Sequence, residues 1–75
     1  MTYLDVAYRY GNTPTENQLR AVDGMREVYG VLQVQFDEKE RTVRVRFDAS
    51  RLKEEMIAGL LRRAGIELTN KLALT

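Results

Sequence analysis

The chain has 75 residues, with 12 Lys and Arg against 11 Asp and Glu, so its formal net charge is +1, and it has neither Cys nor His. That excludes disulfides, thiolate or imidazole metal ligands, and catalysis by a Cys or His. A near-neutral balance is not the bulk signature of a nucleic-acid-binding protein, although nine of the cations are Arg. One small domain over residues 1–75 is expected, held by packed apolar side chains or by packing on a partner.

Residues 2 to 10 alternate, which predicts a first strand with Leu4, Val6, Tyr8 and Tyr10 facing inward and Tyr3, Asp5, Ala7 and Arg9 outward. Gly11 to Thr13 breaks it. Thr13-Pro14-Thr15-Glu16 then predicts a helix start, with Thr13 as N-cap, Pro14 in the first helical position and Glu16 closing a capping box. Leu19, Val22, Met25, Val28 and Tyr29 recur at helical spacing, and Gly30 is placed to end the helix in a left-handed conformation.

Gly30 to Asp48 is the most legible stretch. Leu32, Val34 and Phe36 alternate with Val31, Gln33 and Gln35; Val43, Val45 and Phe47 alternate with Arg44 and Arg46. Two arms of period two predict an antiparallel hairpin with one buried and one wet face, closed by a four- or five-residue turn near Asp37–Arg41. Asp48 or Ser50 is the expected N-cap of a second helix, whose apolar stripe is Leu52, Met56, Ile57, Leu60, Leu61 and Ala64. Glu54 and Glu55 near its start and Arg62 and Arg63 at its end suit the helix dipole, and Gly65 caps it. Ile66-Glu67-Leu68 predicts a last strand, with residues 69–75 either continuing it or forming a tail.

The order β-α-β-β-α-β predicts an α+β, ferredoxin-like sandwich: a four-stranded antiparallel sheet with both helices on one face. The open face is expected to carry Tyr3, Asp5, Ala7, Arg9, Gln33, Gln35, Arg44, Arg46 and Glu67.

Over residues 3 to 68 the chain resembles a heavy-metal-associated domain, the module of copper chaperones and of the N-terminal arms of metal-pumping ATPases. Gly30-Val31, Val34, Phe36-Asp37, Val43, Val45, Phe47-Asp48, Ile57-Ala58 and Ala64-Gly65 carry the resemblance. These positions bear on fold rather than activity. The resemblance locates the family's chemistry in a Gly-Met-Thr-Cys-x-x-Cys loop before the first helix. Here that stretch is Gly11-Asn12-Thr13-Pro14-Thr15-Glu16-Asn17, with Pro14 and Asn17 where the two cysteines belong and Asn12 in place of the Met. Soft-metal carriage needs two thiolates at a helix start. Proline has no ligand atom, and asparagine has only a neutral, hard oxygen. No metal or cofactor is therefore expected.

The remaining candidates are weighed residue by residue. Asp37, Glu38 and Glu40 read as a solvated turn tip. Arg44 and Arg46, with Arg9 and Tyr3, are the candidates for a basic-aromatic patch on the open face, but Asp5 and Glu67 dilute its charge and the third strand offers arginines where RNA-binding sheets place the aromatics that stack bases, so nucleic acid is not the expected partner. Ser50 reads as a cap, Lys53 and Lys71 as surface residues, and the glycines are scattered rather than gathered into a phosphate loop. Tyr8 and Tyr10 are expected at the core edge with hydroxyls near water. Tyr29 and Asn12 join Arg9, Arg44 and Arg46 as a possible interaction surface. The expectation is a non-enzymatic module without metal ligands that binds a protein or another copy of itself. Alternatives are a small-ligand-binding or oligomerising domain, and a residual role in heavy-metal transport through oxygen ligands or a partner's thiols. A cytoplasmic location without membrane insertion is expected, the chain standing alone or as a soluble part of a larger membrane protein.

Overall fold

Strand β1 spans Tyr3–Tyr10, helix α1 Glu16–Asp23, β2 Val31–Asp37, β3 Thr42–Asp48, α2 Glu54–Arg63 and β4 Leu68–Leu74. The structure is a computed structural model that describes residues 2–74. The four strands form one antiparallel sheet in the order β2-β3-β1-β4. Val6 faces Val45 and Tyr8 faces Val43 across the central β1–β3 pair. These residues join Val22, Met25, Ile57, Ala58 and Leu61 in a single core cluster. Both helices thus cover the same face of the sheet, as the ferredoxin-like reading requires.

The helix start lies two residues later than expected. Thr15, not Thr13, is the N-cap, and Gln18 rather than Glu16 completes the capping box. The segment Thr-Pro-Thr-Glu-Asn-Gln contains two overlapping cap patterns. The second wins because Gln18 also reaches across to the turn that ends α2: its Nε2 donates to the Gly65 carbonyl at 3.0 Å. Pro14 therefore precedes the cap instead of opening the helix.

Helix α1 is also shorter than its stripe suggested. It ends at Asp23, and Gly24–Glu27 winds into a 3-10 turn. Each residue of that turn rotates the side-chain direction by about 120° rather than about 100°. Met25 still points inward, but Tyr29 ends up 72% exposed; Leu19, on α1 ahead of the turn, is 38% exposed. Gly30 has a φ of 104°, the left-handed conformation foreseen, but it opens β2 rather than closing a helix.

A bulge re-aims the start of β2. Val31 pairs with Phe47, and Gln33 with the next residue back, Arg46, so Leu32 has no partner on β3. The extra residue reverses the alternation before it. Val31 is buried and Leu32 is 48% exposed, the opposite of the expectation for that pair; Val34 is buried as expected.

Neither Asp48 nor Ser50 caps α2. The Asp48 carboxylate accepts from Ser50 N at 3.0 Å and Ser50 Oγ at 2.6 Å, and its carbonyl accepts from Arg51 N and Leu52 N. This closes a separate turn ahead of the helix. Lys53 occupies the cap position with no side-chain bond, and Glu54 and Glu55 in the first turn offset that end of the dipole. Met56, expected in the stripe, is 53% exposed, whereas Ala58 is buried. Gly65 has a φ of 94° and terminates α2 as foreseen. Ile66 drops into the core before β4 begins, and the strand alternative holds for residues 69–74.

Candidate functional site

The loop between β1 and α1 is where a metal site would lie in the resembled family. It is tied down on both sides. Gly11 N donates to the Glu67 carbonyl at 3.0 Å, Asn12 Nδ2 donates to Glu67 Oε2 at 3.0 Å, and Arg41 Nη1 donates to the Gly11 carbonyl at 3.2 Å. Thr15 N donates to Gln18 Oε1 at 2.9 Å, and Gln18 N to Thr15 Oγ1 at 3.2 Å. Pro14 is half-buried and Asn17 exposed, and the loop contains no sulfur atom. Among the described residues no group of three His, Cys, Asp or Glu is placed to hold a metal ion. Asn12 is thus a brace between the loop and the residue preceding β4.

The open sheet face holds the three arginines singled out from sequence. Arg46 Nε donates to Asp5 Oδ1 at 2.9 Å and its Nη2 to Oδ2 at 3.2 Å, a two-pronged contact across β1 and β3. That bond, above all, holds the Asp5 carboxyl below its ordinary range. One step along the same ladder, Arg44 faces Ala7 instead of an acid. Arg9 lies two residues beyond Ala7 on β1, opposite Thr42. Gln33 and Gln35 flank Arg46 and Arg44 from β2.

Tyr29 sits at the other end of the sheet from the loop. The Arg51 guanidinium lies over its ring, 4.2 Å from the centroid, and also reaches Asp48 Oδ2 at 3.3 Å. Tyr3 and Leu32 line the same shallow concavity around Gly30. The five residues proposed from sequence therefore occupy three places: Asn12 at the loop, Tyr29 at the opposite end, and Arg9, Arg44 and Arg46 on the open face.

Sequence reasoning missed a polar latch under α2. The Tyr8 hydroxyl donates to Glu54 Oε1 at 3.0 Å, and Lys71 Nζ donates to Glu54 Oε2 at 2.9 Å. Burial, reinforced by the bond to Glu54, pushes the Tyr8 phenol well above its ordinary value, so it remains a donor and cannot serve as a base. Lys71, expected as a free surface residue, is a cross-element partner. The Tyr10 hydroxyl is not near water as expected: Tyr10 Oη is buried with no hydrogen-bond partner among the described residues, its ring held edge-on to Phe36 at 5.8 Å. No sequence period marks a Tyr, a Glu and a Lys from three different elements.

No protein-family profile matches this chain, and no curated protein sequence matches it. Its architecture is that of the heavy-metal-associated domain, the ferredoxin-like class that its sequence resembles. Among solved structures it is similar to the crystal structure of a copper-binding domain from HMA7, a P-type ATPase, with a TM-score of 0.77 and 22% identity, covering 95% of this chain and 96% of that one. At that identity the likeness is one of fold. Among the described residues no helix is long and apolar enough to cross a membrane.

Proposed function

We propose that this chain is a heavy-metal-associated-like domain without metal ligands, non-catalytic, and used as a protein-interaction or regulatory module. The observation that carries the reading is the loop itself. Pro14 and Asn17 supply no soft donor, while Asn12, Thr15 and Gln18 are committed to bonds that hold the loop to α1 and to the residues leading into β4. The domain has kept the architecture and spent the loop on structure. Among the described residues the hydroxyls that donate to a carboxylate, Ser50 to Asp48 and Tyr8 to Glu54, close a turn and an interelement latch, and there is no glycine-rich anion loop, which supports a binding role over an enzymatic one. Its setting is a cytoplasmic one in this reading.

The test is titration of the wild-type chain with Cu(I) and with Zn(II) against a competing chelator. No stoichiometric uptake is expected. Tight one-to-one binding of either ion overturns the reading and favours a residual role in metal transport.

A further inference from the structure

We propose that Arg26 is an edge guard: its guanidinium closes strand β2 against pairing with a second copy of this chain. The inference goes beyond the proposed interaction role and does not depend on it. β2 is an outer strand of the sheet, so among the described residues one side of its backbone has no neighbouring strand. Such an edge is a template for another chain unless something blunts it.

Which groups β2 presents there follows from the ladder. Asp48 N donates to the Gly30 carbonyl at 2.7 Å, and Ala49 N to the Thr2 carbonyl at 2.7 Å. Bonds alternate along an antiparallel strand, so the even residues of β3 bond toward β2 and the odd ones toward β1. Val34 faces Val45 and Phe36 faces Val43. Val34 and Phe36 therefore turn their N–H and C=O groups to the free side. Arg26 Nη2 donates to the Val34 carbonyl from that side at 2.9 Å. Asp23 Oδ1, 3.3 Å from Arg26 Nε, holds the guanidinium in place. Nearer the start of the strand, the Val28 carbonyl already accepts from Val31 N at 3.0 Å.

The two edges of the sheet are protected differently. β4 carries Lys71, and its register against β1 shifts twice; both features spoil an incoming ladder. β2 has its bulge at Leu32, but from Gln33 to Asp37 its register is regular. The run from Val31 to Phe36 has no charged residue, no Pro and no Gly. That is the composition of a short segment that pairs with copies of itself. The charge that breaks up such a segment is supplied here from outside it, by the 3-10 turn ahead of β2.

A second copy is the fitting occupant because the strand is complementary to itself. Antiparallel pairing about a two-fold axis at Gln35 sets Val34 of one copy opposite Phe36 of the other, Gln35 opposite Gln35, and Gln33 opposite Asp37. No like charges meet in that pairing. It also covers Leu19, which is 38% exposed and lines the groove between α1 and β2 with Val34 and Phe36. Arg26 takes the Val34 acceptor that this ladder needs, in each copy, and brings two guanidiniums to one seam. The guarded chain stays monomeric.

Sedimentation velocity of the full chain, over a concentration series up to about millimolar, tests this. Wild type is expected to remain monomeric. Arg26→Ala should form a dimer, with self-association at least about tenfold tighter than in wild type. Arg26→Met keeps the side-chain stem without the donor and should do the same; it decides the matter if Arg26→Ala fails to fold by circular dichroism. Arg20→Ala removes an equal charge from the same groove, where Arg20 bonds to Glu16 rather than to β2, and should stay monomeric. Adding Gln35→Lys to Arg26→Ala sets like charges face to face at the seam and should return the monomer. The inference is overturned if the folded Arg26 variants stay monomeric, if Arg20→Ala associates equally, if Gln35→Lys leaves the dimer intact, or if wild type already dimerises as tightly as Arg26→Ala. None of these outcomes bears on metal uptake, so the metal-free reading is tested separately.

Discussion

The Tyr8 hydroxyl donates to Oε1 of Glu54 at 3.0 Å, joining the central strand β1 to the first turn of α2 across 46 positions of chain. Lys71 on β4 completes the latch from the other oxygen. Tyr8→Phe keeps the ring in the core and removes the bond, and should cost about 1 kcal/mol of unfolding free energy. Urea denaturation followed by circular dichroism checks it.

The same latch sets part of the acid limit. The bond from Lys71, joined by that from Tyr8, holds the Glu54 carboxyl below its ordinary value of 4.5. A carboxylate depressed in the folded state contributes stability above its unfolded pKa, and that contribution is lost as pH falls through the folded value. Wild-type stability should therefore begin to fall as pH drops past about 4.5. Glu54→Gln should be less stable than wild type at neutral pH and should close that gap on acidification. Asp5 and Asp48, held low by Arg46 and by Ser50, add further acid-labile stability that both proteins share. A gap that stays constant between pH 7 and pH 3 would refute the assignment.

Two glycines should respond in opposite directions. Gly30 has a φ of 104°, and a Cβ there would sit 3.0 Å from Leu52 Cγ and Cδ1. Gly30→Ala should destabilise by about 2 kcal/mol. Gly24 lies in the 3-10 turn with nothing within 4 Å of an added Cβ. Gly24→Ala should be neutral or stabilising by up to about 1 kcal/mol, through the unfolded chain's entropy. Paired urea midpoints decide both.

Leu61 and Met56 lie on one helix and were both expected inside. Leu61 is fully buried and Met56 is mostly exposed. Leu61→Ala should cost about 2–5 kcal/mol, enough to bring a domain of this size near unfolding at room temperature. Met56→Ala should stay within about 0.5 kcal/mol of wild type. Thermal melts followed by circular dichroism separate them.

Restoring sulfur tests the alignment of the loop. In the double variant Pro14→Cys, Asn17→Cys one thiol stands just before the Thr15 cap and the other in the first turn of α1. The helix start lowers a thiol's pKa and favours the thiolate. The variant should take up one equivalent of Cu(I), where none is expected for wild type, as read by competition with a chromogenic chelator. A double variant without uptake means that these positions are not the counterparts of the family's cysteines.

How far the chain could be read without its structure depended on how local each signal was. Val43, Val45 and Phe47 lie inward because nothing interrupts the period of β3. Leu32 was misplaced because a bulge is a relation between two strands: only the pairing of Val31 with Phe47 and Gln33 with Arg46 reveals the extra residue. The open-face arginines were identified, but their difference was not. It lies in what stands opposite, Asp5 for one and Ala7 for the other, and register decides that. Asp48 signalled a helix start by composition, whereas its carboxylate closes the preceding turn with Ser50.

The sequence by itself determined the element order, the hairpin, the inward set of β1 and β3, the left-handed glycines at 30 and 65, and the missing thiolate pair. All of these follow from side-chain period, backbone permissiveness or the presence of an atom type, which are properties of short stretches. Only the tertiary structure decided where α1 begins and ends, which of Val31 and Leu32 enters the core, which arginines are already paired, and that Tyr8, Glu54 and Lys71 meet. Those outcomes depend on competition among residues far apart in the chain, resolved when packing makes one register and one cap better satisfied than its neighbour.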